Sequence, residues 1–451
     1  MSRTTTDNPR PDRDPSIRLR LPERMQAVIR YGALDDLLPP EHEARVVWAV
    51  VCAQDLSDFH AAVRAVAGSP GRDATDPRVL IALWLYATLD GVGSARELDR
   101  LCRECDPYKW LAGGVSLNYH TLADFRVGRI GGGGDHAAAL DGLLTRMVAT
   151  LVGKGLVKVW RISQDGTRVR ACAGASSFRR EKRLAKLLEE AKKHVAELRA
   201  LLDDPERSAG LSAQQKAARE RAARERQARV EAAIAALPRL KEKQAKLAKK
   251  VSQKDKKAGK LKEPRASTTD DQARVMKMPD GGFRPAVNVQ LAVDTDSRAI
   301  VGVDVTSSGV DTGQAEPMRR QVQERTGREV KEHLMDGGYL VFEEIDRATQ
   351  EGVTVYCPPK PPRNPELRGS EYEPRPTDSQ AVKDWRARMG SEEGKEVYKE
   401  RAATSETANA ELKSRCGVTR LLVRGLDKAR CVALWFALAY NLSHFAKELI
   451  G

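Results

Sequence analysis

Three acidic residues stand in settings where a carboxylate could do metal chemistry. Asp165 lies in ISQDGTRVRA, late in an alternating apolar and polar stretch, with Gly166 leaving room for close backbone approach. Asp336 ends the short apolar run HLMD and is followed by two glycines in LMDGGY. Glu406 lies further on, in the helix-forming segment YKERAATSETANAELK. Carboxylate oxygens converging from three elements suit one or two Mg²⁺ ions. Two such ions, about 4 Å apart, can activate an attacking oxygen and stabilise the leaving oxygen of a phosphodiester. Tyr398, Arg401, Glu406 and Lys413 follow at steps of three, five and seven along one predicted helix. Glu406 and Lys413 are two turns apart and share a face, whereas the step from Arg401 to Glu406 rotates off it. A basic flank there can bind the phosphate beside the reacting one.

The elements that must position these residues follow from periodicity. Strand-like alternation covers 157–171, 286–294 and 299–308, with the turn DTDSR between the last two making a hairpin. A helix over 312–326, a strand at 333–336, a helix near 342–351 and a strand in 353–359 come next. Residues 358–394, rich in Pro and charge, are expected to be mostly loop, and long helices are expected over 395–414 and 427–449. Three antiparallel strands leading into alternating helix and strand units predict an α/β fold with a ribonuclease-H-like mixed sheet. In such a sheet the carboxyl ends of neighbouring central strands meet at one edge.

Charge is distributed unevenly over the 451 residues. The net charge is +14, and the segment 178–263 holds 26 Lys and Arg against 13 Asp and Glu, so nearly all of the excess lies there. Its composition favours helix, and Leu184, Leu187, Leu188, Val195, Leu198, Leu201 and Leu202 form one apolar stripe. Breakers at 203–205 and 208–210 divide it into two helices of an antiparallel hairpin, inserted after the first strand. An excess this one-sided points to a polyanion partner, because Lys and Arg stripes gain affinity by displacing counterions from phosphates. Lys249 and Lys250 on the hairpin are candidate contacts. So is Arg126, at the basic end of a run of short N-terminal helices that reads as a helix-turn-helix type of module. In that run DPRVLIALWLYATLDG opens with an Asp cap and a first-turn Pro, and Ser94 with Glu97 spells a capping box. The expected organisation is a disordered tail at 1–18, a helical DNA-binding domain at 19–130, a glycine linker at 131–135, a catalytic domain at 136–177 plus 264–451, and the basic hairpin at 178–263.

Other classes are excluded more simply. No apolar run reaches the roughly 18 residues that a membrane span needs, and CVALWFALAY (431–440) reads as a core helix. The first twenty residues hold no hydrophobic segment, and seven scattered cysteines do not suggest a disulfide framework, so a cytoplasmic protein is expected. Cys102 and Cys105 have no second pair at zinc spacing, and no Walker-type Gly-rich Lys motif is present. Asp294, Asp296 and Asp304, in or beside the hairpin, are better explained by turn and strand-edge roles. Glu316, opening the helix after the third strand, is the most credible substitute for a member of the acidic set.

DGTRVRACAG, TTDDQARVMKMPDGGFRPAVNVQLAVD, LMDGGY, and YKERAATSETANAELK followed by GVTRLLVRGLDKAR together resemble the DDE transposases of bacterial insertion sequences. More narrowly, they resemble the subgroup with a Tyr-Arg-Glu-Lys motif and a coiled-coil insert. The likeness runs over about 19–449. It implies that Asp165, Asp336 and Glu406 are both the catalytic and the metal-binding triad, holding two Mg²⁺ ions for which Mn²⁺ can substitute. It implies that Tyr398, Arg401 and Lys413 act on DNA. The family's usual spacing puts Glu four residues after Arg, which here is Ser405; the Thr-x-Glu arrangement and the seven-residue step to Lys413 favour Glu406. The implied activity is that of a metal-dependent polynucleotidyl transferase acting on double-stranded DNA, at element ends and target, as a homodimer or larger synaptic complex, nucleoid-associated when bound. A nuclease of the same fold that does not transfer strands, and a non-catalytic DNA-binding protein or decayed copy, are the competing functions.

Overall fold

A computed structural model describes residues 32–63, 65, 73–128, 136–252, 263–362 and 364–450, with side chains throughout except those of 136, 247–252 and 365. The expected tail and glycine linker lie outside the described residues. Among the described residues seven α-helices come first: α1 (Glu43–Ala53), α2 (Ser57–Ala61), α3 (Pro77–Leu89), α4 (Ala95–Glu104), α5 (Asp106–Ala112), α6 (Tyr119–Val127) and α7 (His136–Gly153). Asp76 caps α3, accepting from the Arg78 amide, with Pro77 in the first turn as its sequence suggests. Only half of the capping box on α4 forms: Ser94 accepts from the Glu97 amide at 3.4 Å, but the Glu97 carboxylate turns to Arg100 instead.

The strands are β1 (Arg161–Arg170), β2 (Phe178–Arg179), β3 (Ala266–Ser267), β4 (Arg274–Lys277), β5 (Phe283–Asp294), β6 (Ile300–Thr306), β7 (Glu332–Met335) and β8 (Thr354–Tyr356). β5 is flanked by β1 on one side and by β6, with β4 at its start, on the other, all antiparallel. β7 then joins β1 in parallel and β8 joins β7 in parallel. Apart from β4, which pairs only with the start of β5, the strands of this sheet run β6, β5, β1, β7, β8, the mixed arrangement anticipated from their order. β1 starts later than the alternation at 157 suggested, because Val159 has φ of 60°, which breaks the extended chain. The Val159 amide donates to Asp294 Oδ1 at 2.9 Å, and Asp294 also caps the Ser297 turn, so this aspartate is spent on backbone.

Helices α11 (Ala315–Thr326), α12 (Phe342–Gln350), α13 (Gln380–Gly390), α14 (Glu392–Arg401), α15 (Thr407–Ser414) and α16 (Leu426–Ile450) complete the catalytic part. α13 corrects the loop expected over 358–394. Its signal is legible in retrospect: Ser379 caps the helix, and Val382, Trp385 and Met389 bury at helical spacing. α16 is the core helix its apolar run implies, buried continuously from Cys431 to Leu442, and it packs on α1, α3, α6, α7 and β6. Asn441 ties it to the sheet, accepting from the Ile300 amide and donating to the Ile300 carbonyl, both at 2.9 Å. One hydrophobic core thus runs from the N-terminal helices through the sheet, across regions that composition divides. Between β2 and β3, α8 (Glu181–Asp203), the single turn α9 (Pro205–Ser208) and α10 (Ala213–Ser252) leave and return. α8 and α10 run antiparallel, with Lys241 on Glu181 at one end and Arg199 on Glu220 towards the other. Among the described residues no helix is long and apolar enough to cross a membrane.

β7, which leads to Asp336, is held from below by a buried polar cluster. Arg319 on α11 bonds Glu344 at 2.7 Å and Glu351 at 3.1 Å and stands 3.4 Å from His333 Nδ1. Burial, and next Arg319, hold the His333 imidazole well below its ordinary value of 6.5, so the fold keeps it neutral while the unfolded chain protonates it near that pH. Stability from this residue is complete above pH 6.5 and is lost as the pH falls below it, by up to about 1.4 kcal/mol per pH unit. Urea unfolding between neutral pH and about pH 5 is expected to show that loss, with His333→Leu flattening the slope.

Candidate active site

β1 and β7 pair with Gln164 opposite Met335, so one residue further along Asp165 falls beside Asp336. Neighbouring parallel strands are about 4.8 Å apart, and equal register puts both side chains on one face of the sheet. Alternation puts Ser163 on that face as well, where its hydroxyl meets that of Ser405 at 2.7 Å. Asp165 Oδ2 accepts from Asn409 Nδ2 at 2.9 Å, and its Oδ1 lies 3.1 Å from Arg401 and accepts from the Gly166 amide. Asp336 Oδ1 accepts from the Gly338 amide at 2.6 Å, folding the DGG turn back on the carboxylate. The helical segment 392–414 therefore lies over the aspartate pair.

That segment is not one α-helix. Ala402–Glu406 forms a single π-helical turn between α14 and α15. A π turn takes in one residue more than an α turn, which resolves the irregular spacing after Arg401. Ser405, the position four residues on, is fully buried and engaged with Ser163. Glu406, five residues on, is half-exposed and is ion-paired to Arg401 through Nη1. The structure thus joins Arg401 and Glu406, which regular α geometry would have rotated apart, and presents Glu406 where Ser405 cannot reach.

The electrostatics are those of an acidic site with one cation lodged in it. Burial pushes the Asp165 carboxyl up, with Asp336 adding to the effect and Arg401, Asn409 and the Gly166 amide opposing it. Burial pulls the Arg401 guanidinium down, but Asp165, then Tyr398 and Glu406, more than offset this and raise it. Tyr398 is pushed up to about 12, chiefly by burial, and is a neutral hydroxyl at physiological pH. Lys413 is lowered by burial despite the nearby Asp165. Asp165, Asp336, Glu406, Tyr398, Arg401 and Lys413 are therefore gathered at one place. Among the described residues no three carboxylates are close enough to share one ion, because Glu406 is turned to Arg401. The donor chemistry of the aspartate pair nonetheless fits a hard dication: oxygen ligands only, on adjacent strands, with one carboxyl held largely out of water.

Arg126 does not belong to such a surface. Its guanidinium is turned inward over the Trp84 ring, at 4.7 Å from the centroid, donates to the Gly93 carbonyl, and is pulled down to about 10 by burial. A cation so enclosed serves packing and cannot meet a phosphate. The side chains of Lys249 and Lys250 lie outside the described residues. Glu316 pairs with Arg320 on its own helix and lies 4.0 Å from Arg347. A further buried acid, which sequence reasoning passed over, is Asp311, just before α11, which meets β1 on the side of Gly166, opposite to the Asp165 side chain. It is buried, accepts from Asn288 at 2.7 Å and Gln290 at 2.8 Å, and with Asp165 and Asp336 helps raise the buried Tyr339 hydroxyl, after burial itself. Asn409 was also missed; its place three residues after Glu406, on the same helical stretch, was its one sequence signal.

A mixed sheet of this order, with two aspartates side by side where the parallel pairing of β1 and β7 ends, is consistent with a DDE nuclease-like fold. The family described as Transposase DDE domain matches residues 244–442, and the Transposase domain DUF772 matches 32–127. The first match holds Asp336 and Glu406 and stops short of Asp165. On these two matches the chain belongs to the DDE transposases of insertion sequences, enzymes of the metal-dependent polynucleotidyl transferase class. No curated protein and no solved structure shows significant similarity to it.

Gly166 makes the site's geometry sensitive to one methyl group. A Cβ there would fall 2.3 Å from both Asp311 Oδ1 and Gln290 Nε2, and 2.9 Å from Asn288 Oδ1. Gly166→Ala is expected to cost about 1–3 kcal/mol in urea unfolding, whereas Gly210→Ala, where nothing lies within 4 Å, is expected to change stability little.

Proposed function

We propose that this protein binds the terminal inverted repeats of an insertion sequence, cuts a DNA strand there to leave a 3′-OH, and joins that 3′-OH to target DNA. The observation that carries this is the register of β1 and β7, which sets Asp165 beside Asp336 under a helix presenting Glu406. These three carboxylates would hold two Mg²⁺ ions, with Mn²⁺ able to replace them, Glu406 exchanging its contact with Arg401 for the second position. When bound, such ions activate the attacking oxygen and stabilise the leaving oxygen of an in-line displacement. Arg401, released from Glu406, binds a non-bridging oxygen of the neighbouring phosphate, and Lys413 supplies a second cation beside Asp165. The Tyr398 hydroxyl, neutral at physiological pH, donates a hydrogen bond to the DNA backbone. In the first step a P–O bond to water forms and the bond to the 3′ oxygen breaks. In the second the freed 3′-OH forms a P–O bond with target DNA as a target 3′ oxygen leaves, and no protein–DNA bond is made. Joining two ends in concert calls for a homodimer or larger synapse, and the N-terminal helices are assigned to recognising the ends.

The test uses the full chain, a labelled duplex ending in the element terminus, a plasmid target, and Mg²⁺ or EDTA. Joined product is expected with Mg²⁺ and none with EDTA. Asp336→Asn and Glu406→Gln are expected to lower joining by at least about 100-fold, since even outer-shell partners of metal sites are worth 10- to 100-fold. Ser405→Ala is expected to keep joining within a few-fold. Cleavage without joining of pre-cut 3′-OH ends would reassign the protein as a nuclease, and repeat binding indifferent to Mg²⁺ and to Asp165→Asn as a non-catalytic binder.

A further inference from the structure

Five arginines from four separate stretches of chain meet at the root of the helical hairpin. Arg179 comes from β2, Arg183 from α8, Arg226 and Arg229 from α10, and Arg424 from the loop before α16; all line one cleft of about 350 Å³. The Thr268 and Thr269 hydroxyls add to the lining, and no carboxylate does. Arg183 leans on Glu190 at 3.3 Å and Arg229 on Glu225 at 3.6 Å, both outside the cleft. Among the described residues the guanidiniums of Arg179, Arg226 and Arg424 have no ion pair or hydrogen-bond partner, and all three are exposed.

The cleft is held in shape by polar contacts that its arginines do not make. The Gly425 amide donates to Asp270 Oδ2 at 3.2 Å and the Leu426 amide to Gln272 Oε1 at 2.6 Å, which pins the loop carrying Arg424. The Thr268 amide donates to the Ser177 carbonyl at 3.1 Å, and the Ser177 and Ser267 hydroxyls meet at 2.7 Å, which seats the threonines beside β2. Three of the five like charges on this rigid frame have no acid beside them, and nothing in the lining offsets their mutual repulsion. An external anion does. Guanidinium forks with hydroxyls are suited to phosphate oxygens, and five charges exceed what one free phosphate neutralises. A duplex, with one charge per about 1.7 Å of axis, meets them all.

We propose that this cleft grips the phosphate backbone of duplex DNA flanking the phosphodiester held at Asp165 and Asp336. The proposal rests on the reading of the acidic site as acting on DNA. The loop that bears Arg424 docks on the far end of β1, where Arg420 bridges Arg170. Arg170 is five residues from Asp165, about 17 Å of strand, so one duplex can reach both places.

The test measures binding of the full chain, in EDTA, to a labelled duplex of arbitrary sequence over a range of KCl concentrations. For Arg226→Gln with Arg424→Gln, the slope of log affinity against log salt is expected to become shallower by about 0.9 for each phosphate left without its cation, with affinity at low salt down about tenfold or more. Arg226→Lys with Arg424→Lys should recover the slope. Lys193→Gln with Arg221→Gln, which removes the same charge from the hairpin outside the cleft, should change the slope less. Both arginines are exposed, so thermal midpoints should match the wild type. If the cleft variant binds like the wild type, or weakens no more than the Lys193 and Arg221 control, the cleft assignment is overturned while the acidic site stands. If the wild type itself binds no duplex, both fall together.

Discussion

The parallel pairing of β1 with β7 is the constraint on which the site depends. Neither Asp165 nor Asp336 has any chemical distinction alone; each is one carboxylate among many. Register makes them a pair, and a slip of one residue would send one side chain to the opposite face. Much of the surrounding structure acts on that register. β5 pairs with nearly the whole of β1, the buried Arg319 cluster supports β7 from the helical side, and α16 braces β6 through Asn441. The common core across N-terminal helices and sheet means that these two regions, separate in composition, are packed as one solid.

Over this pair lies a helix that departs from regular geometry at 402–406. The π turn at 402–406 gives up ideal α hydrogen bonding for one extra residue, and in return Ser405 is buried against Ser163 while Glu406 emerges beside Arg401. π turns recur at functional sites for this reason. Arg401 bridges Asp165 and Glu406, so the acidic cluster is electrostatically balanced by a residue whose fork also matches phosphate. The same guanidinium thus holds Asp165 and Glu406 together in the free protein.

Positive charge is deployed in two ways elsewhere. Along the hairpin many lysines and arginines face nearby acids on the same helix or its neighbour, as Lys246 does Glu242 and Arg224 does Glu220, and such exposed pairs contribute little. At the root of the hairpin the arginines converge without acids in the lining. Net charge on a segment therefore says less about where an anion binds than does the set of cations left without partners once the chain has folded.

Much of this was legible in the sequence. Alternation located β1, β5 and β6, short runs located β7 and β8, the apolar run 431–440 located α16, and the glycines that follow Asp165 and Asp336 marked those two carboxylates. Those features are local, set by backbone geometry and by the burial of one face, so spacing alone determines them. What only the tertiary structure decided depends on contacts between distant segments. Periodicity carries no signal of a one-residue π turn, so the burial of Ser405 against Ser163 and the pairing of Glu406 with Arg401 appear only in the folded chain. Arg126 ends a basic stretch in sequence but folds inward over Trp84, because a helix face is chosen by what packs against it. Asp311 meets Asn288 and Gln290 from more than twenty residues away, and the five-arginine cleft joins segments between 179 and 424, and no spacing rule reaches that far.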